Sequence, residues 1–214
     1  MEFAQQRLRR RGALGVMVLV LGLAAGTPQA RAQANQQAED AVRNLVTGII
    51  TILSDRLDTA DELKELGQVI DKEADLDALG QLSLGQYWRQ LTDAQKQEYR
   101  GLFRQLMLRK FAGYLNAYAG EGLGAPDKLF KITGSREVSG GDFLVESQIL
   151  PPSAPPLAVT WRVRERDNRP LIIDVIVEQA SLLITQRNEF GAVIGQRGID
   201  GFLADLRSRV QGGA

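Results

Sequence analysis

The stretch from Thr92 to Tyr118 constrains the fold most, because its apolar residues recur at intervals of three and four along its whole length. That spacing predicts one long amphipathic helix. Thr92 suits an N-cap, and Gln95 stands where a capping box needs a side chain that reaches back to the cap. The apolar stripe consists of Tyr99, Leu102, Phe103, Leu106, Met107, Phe111, Tyr114, Leu115 and Tyr118.

Aromatic rings dominate this stripe, and each ring buries roughly 150–250 Å². The helix therefore needs a large apolar surface opposite it, which a β-sheet would supply. Two interpretations are open. The rings form an ordinary closed core, or helix and sheet leave a gap that a long apolar ligand fills.

The N-terminus has the three parts of a secretory signal peptide. Arginines at 7 and 9–11 precede an apolar run from Gly12 to Gly26, and small residues follow at Ala30 and Ala32. The run is shorter than the roughly 20 residues that a spanning helix needs. We expect cleavage after Ala32, with Sec or Tat export both open, and a periplasmic protein. The predicted domains are a leader over 1–32 and one domain over 33–214.

Composition limits the functions that the mature chain can have. The leader holds five of the 26 basic and one of the 26 acidic residues, so its removal leaves 21 and 25, a net charge of about −4. That balance argues against a nucleic-acid partner. The chain has no His and no Cys, which removes the commonest general base, metal ligand and nucleophile. Catalysis is not excluded by these absences, but it would have to rest on carboxylates, on Ser with Lys, or on Tyr. We expect no catalytic residue, no metal and no cofactor.

Helical and strand patterns occupy different parts of the chain. Apolar periodicity predicts helices over 34–57 and 61–70, one or two brief helices over 75–91, and then the long helix, so that 33–119 is helical. Residues 128–138, 142–150, 157–166 and 170–178 read as four strands, with turns at Gly140-Gly141 and Asp167-Asn168. Helical spacing returns over 181–210 and is divided at Gly198.

This order predicts an α+β fold in which a four-stranded antiparallel meander is covered on one face by the N-terminal and C-terminal helices. The second strand alternates in the way a half-buried sheet requires, with Phe143 and Val145 on the face opposite to Glu146. The proline-rich segment 151–156 is expected to be a rigid loop between two strands, with a polyproline ligand for a partner as the other possibility.

Four features follow one another along the chain: W-x-x-L-T-x-x-Q from Trp88, the aromatic helix after it, Asp174-Val175 at the end of a strand, and S-L-x-x-x-x-R-x-x-F from Ser181 to Phe190. Together, in this order, they resemble the MlaC or toluene-tolerance family. The form T-Q-R-x-E-F is more similar to the hopanoid-associated branch, HpnM. The resemblance spans about 34–210.

The resemblance implies a monomeric periplasmic carrier that holds lipid acyl chains between a curved sheet and helices, with a cone-shaped, cystatin-like outline. It also implies phospholipid or hopanoid cargo and transient contacts with an inner-membrane ABC transporter, its MCE-type partner and an outer-membrane complex. The residues themselves leave two alternatives open. One is a small-molecule isomerase or dehydratase that uses Tyr and carboxylates, and the other is a structural interaction module.

The residues that would line a lipid slot are the strand residues whose side chains face the helices, together with four residues of the long helix opposite them. The predicted lining is Phe103, Phe111, Tyr114, Leu115, Phe143, Val145, Ile149, Val159, Trp161, Val163, Ile173, Val175 and Val177. Arg187 is the candidate polar residue. It is expected to form an ion pair with Asp174 or Glu178 at the strand-to-helix junction, or to meet a phosphate at the mouth of the slot.

Overall fold

A computed structural model describes residues 28–54, 59–118, 125–152 and 154–212. Most of the predicted leader lies outside these residues. Six α-helices, one 3₁₀ segment and five strands are described, in an order that confirms the α+β prediction. They are α1 (Pro28–Ser54), α2 (Thr59–Glu73), α3 (Leu76–Leu84), the 3₁₀ segment (Gly85–Gln90), α4 (Asp93–Tyr118), α5 (Pro126–Leu129), β1 (Phe130–Glu137), β2 (Asp142–Ile149), β3 (Leu157–Arg166), β4 (Arg169–Val177), β5 (Ala180–Ser181) and α6 (Leu182–Gln211).

The sheet is an antiparallel meander in the order β1-β2-β3-β4-β5. It has one strand more than predicted, because a two-residue turn after β4 lets Ala180 and Ser181 pair back onto Val177 and Ile176. Residues 126–129 form a short helix, so the predicted start of the first strand at 128 is wrong. Pro126 stands at the beginning of that helix, where its fixed φ is favourable and its missing N–H costs nothing.

The ends of the long helices follow their local chemistry. At the start of α4, the Thr92 N–H donates to Gln95 Oε1 (2.9 Å) and the Gln95 N–H donates to Thr92 Oγ1 (3.2 Å), which confirms the capping box. Helix α6 is interrupted at Gly198, whose φ of 68° is open to glycine at little cost. Within the described ranges, no helix combines the length and the apolar character needed to cross a membrane.

Two separate apolar clusters hold these elements together. The first, the sheet core, joins the inner face of the sheet to α1, α2 and the C-terminal half of α4. Its buried residues include Val42, Leu45, Val46, Ile50, Leu66, Ile70, Leu108, Phe130, Phe143, Val145, Val159, Trp161, Val163 and Ile172. The second, the helix core, joins α3, α4 and α6 through Leu84, Leu91, Tyr99, Phe103, Leu106, Phe190, Ile194, Phe202, Leu203, Leu206 and Val210.

The long helix α4 therefore does not lie over the sheet in the way that its stripe suggested. Its N-terminal half, with Tyr99 and Phe103, packs into the helix core, whereas Leu108, Phe111 and Ala112 reach the sheet core. Helix α1, whose inner face carries small aliphatic residues, covers the sheet in its place. Because Val and Ala side chains are short, they let a helix axis approach a sheet more closely than aromatic rings do.

Candidate functional site

The inner face of the sheet is built of four cross-strand rows, set by the antiparallel register. From the β2–β3 loop towards the β3–β4 turn, the rows are Phe130, Ile149 and Leu157; Ile132, Ser147, Val159 and Val177; Val145, Trp161 and Val175; and Phe143, Val163 and Ile172.

Burial changes from one end of these rows to the other. In the fourth row, Phe143, Val163 and Ile172 are at most 8% exposed. In the first row, Phe130 is buried but Ile149 and Leu157 are only half-buried, as are Val175 and Val177 along β4. The sheet core is thus closed near the β3–β4 turn, whereas aliphatic side chains near the β2–β3 loop and along β4 stay partly exposed beside buried neighbours such as Val159. Half-buried aliphatic side chains that share one face are the surface an acyl chain can cover.

The predicted lining residues of the sheet follow this pattern, with one exception in β4. The register shifts between Arg162 and Val163, so that Ile172 pairs with Val163 and joins the sheet core. Strict alternation of side chains along β4 predicts Ile173, and not Ile172, on the inner face of the sheet. Ile173 is buried as well, but it is not among the residues of that cluster. The bulge, which adds one residue to one strand, is the cause.

The predicted lining residues of α4 separate into three groups. Phe111 is half-buried against the sheet core, as expected. Phe103 lies in the helix core, so its assignment to the slot is wrong. The side chains of Tyr114 and Leu115 lie outside the described residues. The parity argument also did not place α1 opposite the sheet, although the amphipathic pattern of Val42, Leu45 and Val46 was visible in the sequence.

Arg187 takes a different partner from the two carboxylates predicted for it. Its Nε donates to the carbonyl oxygen of Leu82 (2.8 Å), and its side chain lies against Gly85. Leu82 belongs to the last turn of α3, where carbonyl groups have no helical partner and a cation is favourable. Arg187 therefore joins α6 to the end of α3.

Asp174 is buried and organises the start of α6. Its carboxylate accepts hydrogen bonds from Ser181 Oγ (2.6 Å) and from the N–H groups of Leu183 (3.1 Å) and Val175 (2.8 Å). Ser181 in turn caps the helix by accepting from the Ile184 N–H. An anionic group at the N-terminus of a helix is stabilised by the helix dipole. Asp174 therefore lies at the predicted strand-to-helix junction, but its partner there is the N-terminus of α6 and not Arg187.

Tyr99, in the helix core, has no exposed surface. Its hydroxyl donates to the Gly80 carbonyl (2.9 Å) and lies 3.0 Å from Ser83 Oγ. Burial raises the pKa of Tyr99 far above its ordinary value, although the hydrogen bond with Ser83 acts in the opposite direction. Tyr99 is therefore a neutral hydrogen-bonding group at physiological pH.

The two clefts described on the protein are lined mostly by charged and polar residues. One, of about 530 Å³, lies between α2, α3, α4 and the β3–β4 hairpin. Three of its arginines are paired with its own aspartates, such as Arg104 with Asp71 (2.6 Å) and Arg166 with Asp75 (2.7 Å). The other, of about 260 Å³, lies beside Asp40 and Glu73. Neither is lined by the predicted lipid residues, and the apolar hollow stays a prediction.

Comparison with known proteins relates the chain to a solved structure and to a protein family. The structure is a phospholipid-binding protein from Ralstonia solanacearum in complex with a phospholipid. It shares 24% sequence identity and superposes with a TM-score of 0.65 over 83% of this chain and 96% of the other, which is a likeness of fold. The family model described as MlaC protein matches residues 31–208, and the chain therefore belongs to the MlaC family.

Proposed function

We propose that this protein is a lipid carrier that binds acyl chains at the incompletely covered end of the sheet core. The observation that carries the proposal is the group of half-buried aliphatic residues on one face of the sheet, Ile149, Leu157, Val175 and Val177, in contrast with the buried fourth row at the other end. The cargo is a phospholipid or a hopanoid-type lipid. The protein acts by binding alone, without catalysis.

The free energy of such binding comes from apolar burial. Each methylene that leaves water contributes about 0.8 kcal/mol, so two acyl chains supply ample binding energy without any specific polar contact. The MlaC family assignment and the phospholipid held by the Ralstonia protein support the same ligand class. The proposed contact residues are Phe111, Ile149, Val159, Trp161, Val175 and Val177.

The predicted leader and the family support a proposal about where the protein acts. We propose export to the periplasm, cleavage after Ala32, and delivery of lipid between an outer-membrane complex and an ABC transporter with an MCE-type partner. N-terminal sequencing of the exported protein tests the cleavage site, which should leave Gln33 first. Co-purification with a tagged MCE partner, lost when that partner is deleted, tests the transport assignment.

Lipid binding is tested most directly on protein purified from its own periplasm. Native mass spectrometry should show a species heavier than the chain, and extraction should release a lipid from it. The matched control is Val177→Trp, which fills the open end with a side chain and should leave a folded protein without lipid. A wild-type protein that carries no lipid and takes up none from phosphatidylglycerol vesicles would contradict the proposal.

A further inference from the structure

We propose that the larger cleft, of about 530 Å³, binds a small phosphate ester through Arg100 and Arg169, which both line it. Its volume lies within the range typical of small-molecule sites. Arg166, at the end of β3, also lines the cleft, and Leu157 begins that strand about 30 Å away. The proposal therefore does not depend on lipid binding at the sheet core.

Two charged pairs fix the walls of the cleft. Arg104 donates to both oxygens of Asp71, at 3.1 and 2.6 Å. Asp75 is buried and accepts from the Ala78 N–H (2.8 Å) with one oxygen and from Arg166 Nη1 (2.7 Å) with the other. Charge-assisted contacts of this kind fix the geometry of both partners. These two carboxylates thus hold the walls in place and are already occupied by donors of the protein.

The other two arginines of the cleft keep N–H groups for a ligand. A guanidinium has five N–H donors and no acceptor. Arg100 Nε lies 3.6 Å from Asp77 Oδ1, which is too long for a hydrogen bond. Arg169 donates to the Lys72 carbonyl (2.7 Å), and no carboxylate of the described residues forms an ion pair with it. The cleft therefore offers cationic donors, and phosphate oxygens are the acceptors that arginine binds best.

The remaining aspartates of the cleft do not favour a cation in its place. The side chains of Asp77 and Asp167 are 64% and 92% exposed, so water and salt screen their charge. Within the described ranges, no group of three or more acidic residues is arranged to hold a metal ion. The charges that are both fixed and available to a ligand are those of the arginines.

Gly101 marks the place where the ligand can touch α4. It lies in the interior of this 26-residue helix, where glycine is a poor helix former. Beyond its own helix, a Cβ at Gly101 would meet no atom of the described residues within 4 Å, so packing does not require glycine there. Gly101 lines the cleft and leaves the helix backbone open to close approach by a ligand.

The first test is an NMR titration of the ¹⁵N-labelled protein with glycerol 3-phosphate, with sodium chloride at equal ionic strength as the reference. The amide signals of Gly101 and Arg169 should shift saturably with the ester alone. Arg100→Gln and Arg169→Gln should each weaken binding about tenfold or more, because each removes a charged hydrogen-bond donor. Arg136→Gln is the matched control, since Arg136 is also half-exposed and 3.6 Å from a carboxylate, but lies outside the cleft.

A second test uses a variant that should fold at least as well as wild type. In Gly101→Ala the methyl group enters open space, and the thermal midpoint should rise because alanine favours the helix. Affinity for glycerol 3-phosphate should nevertheless fall several-fold. Gly195→Ala in α6, where a Cβ also meets open space, should leave the affinity unchanged. Unchanged affinity in Gly101→Ala would overturn the contact with α4.

The phosphate group can belong to a soluble ester or to a lipid headgroup, and sedimentation with phosphatidylglycerol vesicles distinguishes the two. Sedimentation that is lost in Arg169→Gln would assign the cleft to headgroups at a membrane surface. Binding of glycerol 3-phosphate without such sedimentation would assign it to a soluble ester. The proposal is overturned if the protein binds neither, or if Arg100→Gln and Arg169→Gln both bind as tightly as wild type.

Discussion

The helix core and the sheet core differ in how completely they close, although α4 contributes to both. In the helix core, Tyr99, Phe190 and Phe202 are at most 1% exposed and meet ring to ring. Phe190 and Phe202 lie 4.8 Å apart at 65°, and Tyr99 meets Phe190 at 6.2 Å and 83°. Edge-to-face contacts of this kind add about 0.5–1.5 kcal/mol each beyond the area that they bury.

Among the residues that the structure describes, the open end of the sheet core has no such cluster of rings. Leu157, Val175 and Val177 each remain half-buried, and their packing is one-sided. Tyr99, Phe190 and Phe202 stabilise the fold in the helix core. Partly exposed aliphatic side chains remain in the sheet core, where we propose that the lipid binds.

The largest expected effect comes from opening a cavity in the helix core. Phe190→Ala removes the ring that touches Tyr99, Phe103 and Phe202. We expect the free energy of unfolding, measured by urea titration, to fall by about 3–5 kcal/mol. Lipid bound per folded molecule should not change. If loading falls in proportion to stability, the two cores are not functionally separate.

A pair of insertions in the sheet core distinguishes its two ends. Val163→Trp overpacks the closed fourth row and should lower the free energy of unfolding by about 1–3 kcal/mol. Val177→Trp places the same ring at the open end, where we expect a stability change of under about 1 kcal/mol and a loss of most lipid loading. Urea titration and native mass spectrometry measure the two effects. Equal destabilisation by both would mean that the open end is as tightly packed as the closed one.

Much of the fold could be predicted from local pattern. The alternation of apolar and polar residues predicted the strands. Thr92 and Gln95 predicted the start of α4, and Gly198 predicted the interruption in α6. These features depend on residues a few positions apart, and their physical causes lie within one element or one turn.

The partners of each face could not be predicted in the same way. The stripe from Tyr99 to Tyr118 requires an apolar surface, but the sheet and the helix pair α3–α6 both offer one. The helical periodicity of the stripe does not indicate which of these two surfaces it contacts. Likewise, the bulge between Arg162 and Val163 leaves no sequence signal, and it is what exchanges Ile173 for Ile172 in the sheet core. The same limit explains Arg187, whose partner is a backbone carbonyl far away in sequence.

Polar contacts on the outer face of the sheet are expected to stabilise its closed end, where Asp142 pairs with Arg164. Asp142 is 1% exposed and accepts hydrogen bonds from Arg162 (2.6 Å) and Arg164 (2.7 Å). Burial alone raises the pKa of Asp142, but the hydrogen bonds from Arg164 and Arg162 outweigh it and hold the pKa below its ordinary value. At neutral pH, Asp142→Asn should cost about 1–2 kcal/mol of unfolding free energy.

The stabilisation that Asp142 provides depends on pH. Because folding lowers the pKa, the stabilisation is complete above the ordinary aspartate pKa of about 3.9 and is lost as the pH falls through the folded value. The difference between wild type and Asp142→Asn should therefore shrink in acid. Asp167→Asn, at an exposed carboxylate in the β3–β4 turn, is the control and should show almost no difference. A gap that stays constant down to strongly acidic pH would show that Asp142 acts through packing alone.

The smallest effect concerns the turn that follows β4, at the open end of the sheet core. Glu178 and Gln179 both have positive φ, of 47° and 71°, in a two-residue hairpin that favours Gly or Asn. A left-handed conformation costs an ordinary L-residue about 1–2 kcal/mol, and glycine gives back about half of that gain as chain entropy in the unfolded state. We expect Gln179→Gly to raise the free energy of unfolding by about 0.5–1 kcal/mol.

Gln179→Ala, which shortens the side chain but keeps the unfavourable φ, should bring no gain. Asn168→Gly in the β3–β4 turn should gain less than Gln179→Gly, since Asn tolerates this conformation. Because the strain lies beside Val177, a stabilised turn should leave lipid loading unchanged if the open end is held by its strands. Reduced loading in Gln179→Gly would instead show that the strained turn keeps that end of the sheet core accessible.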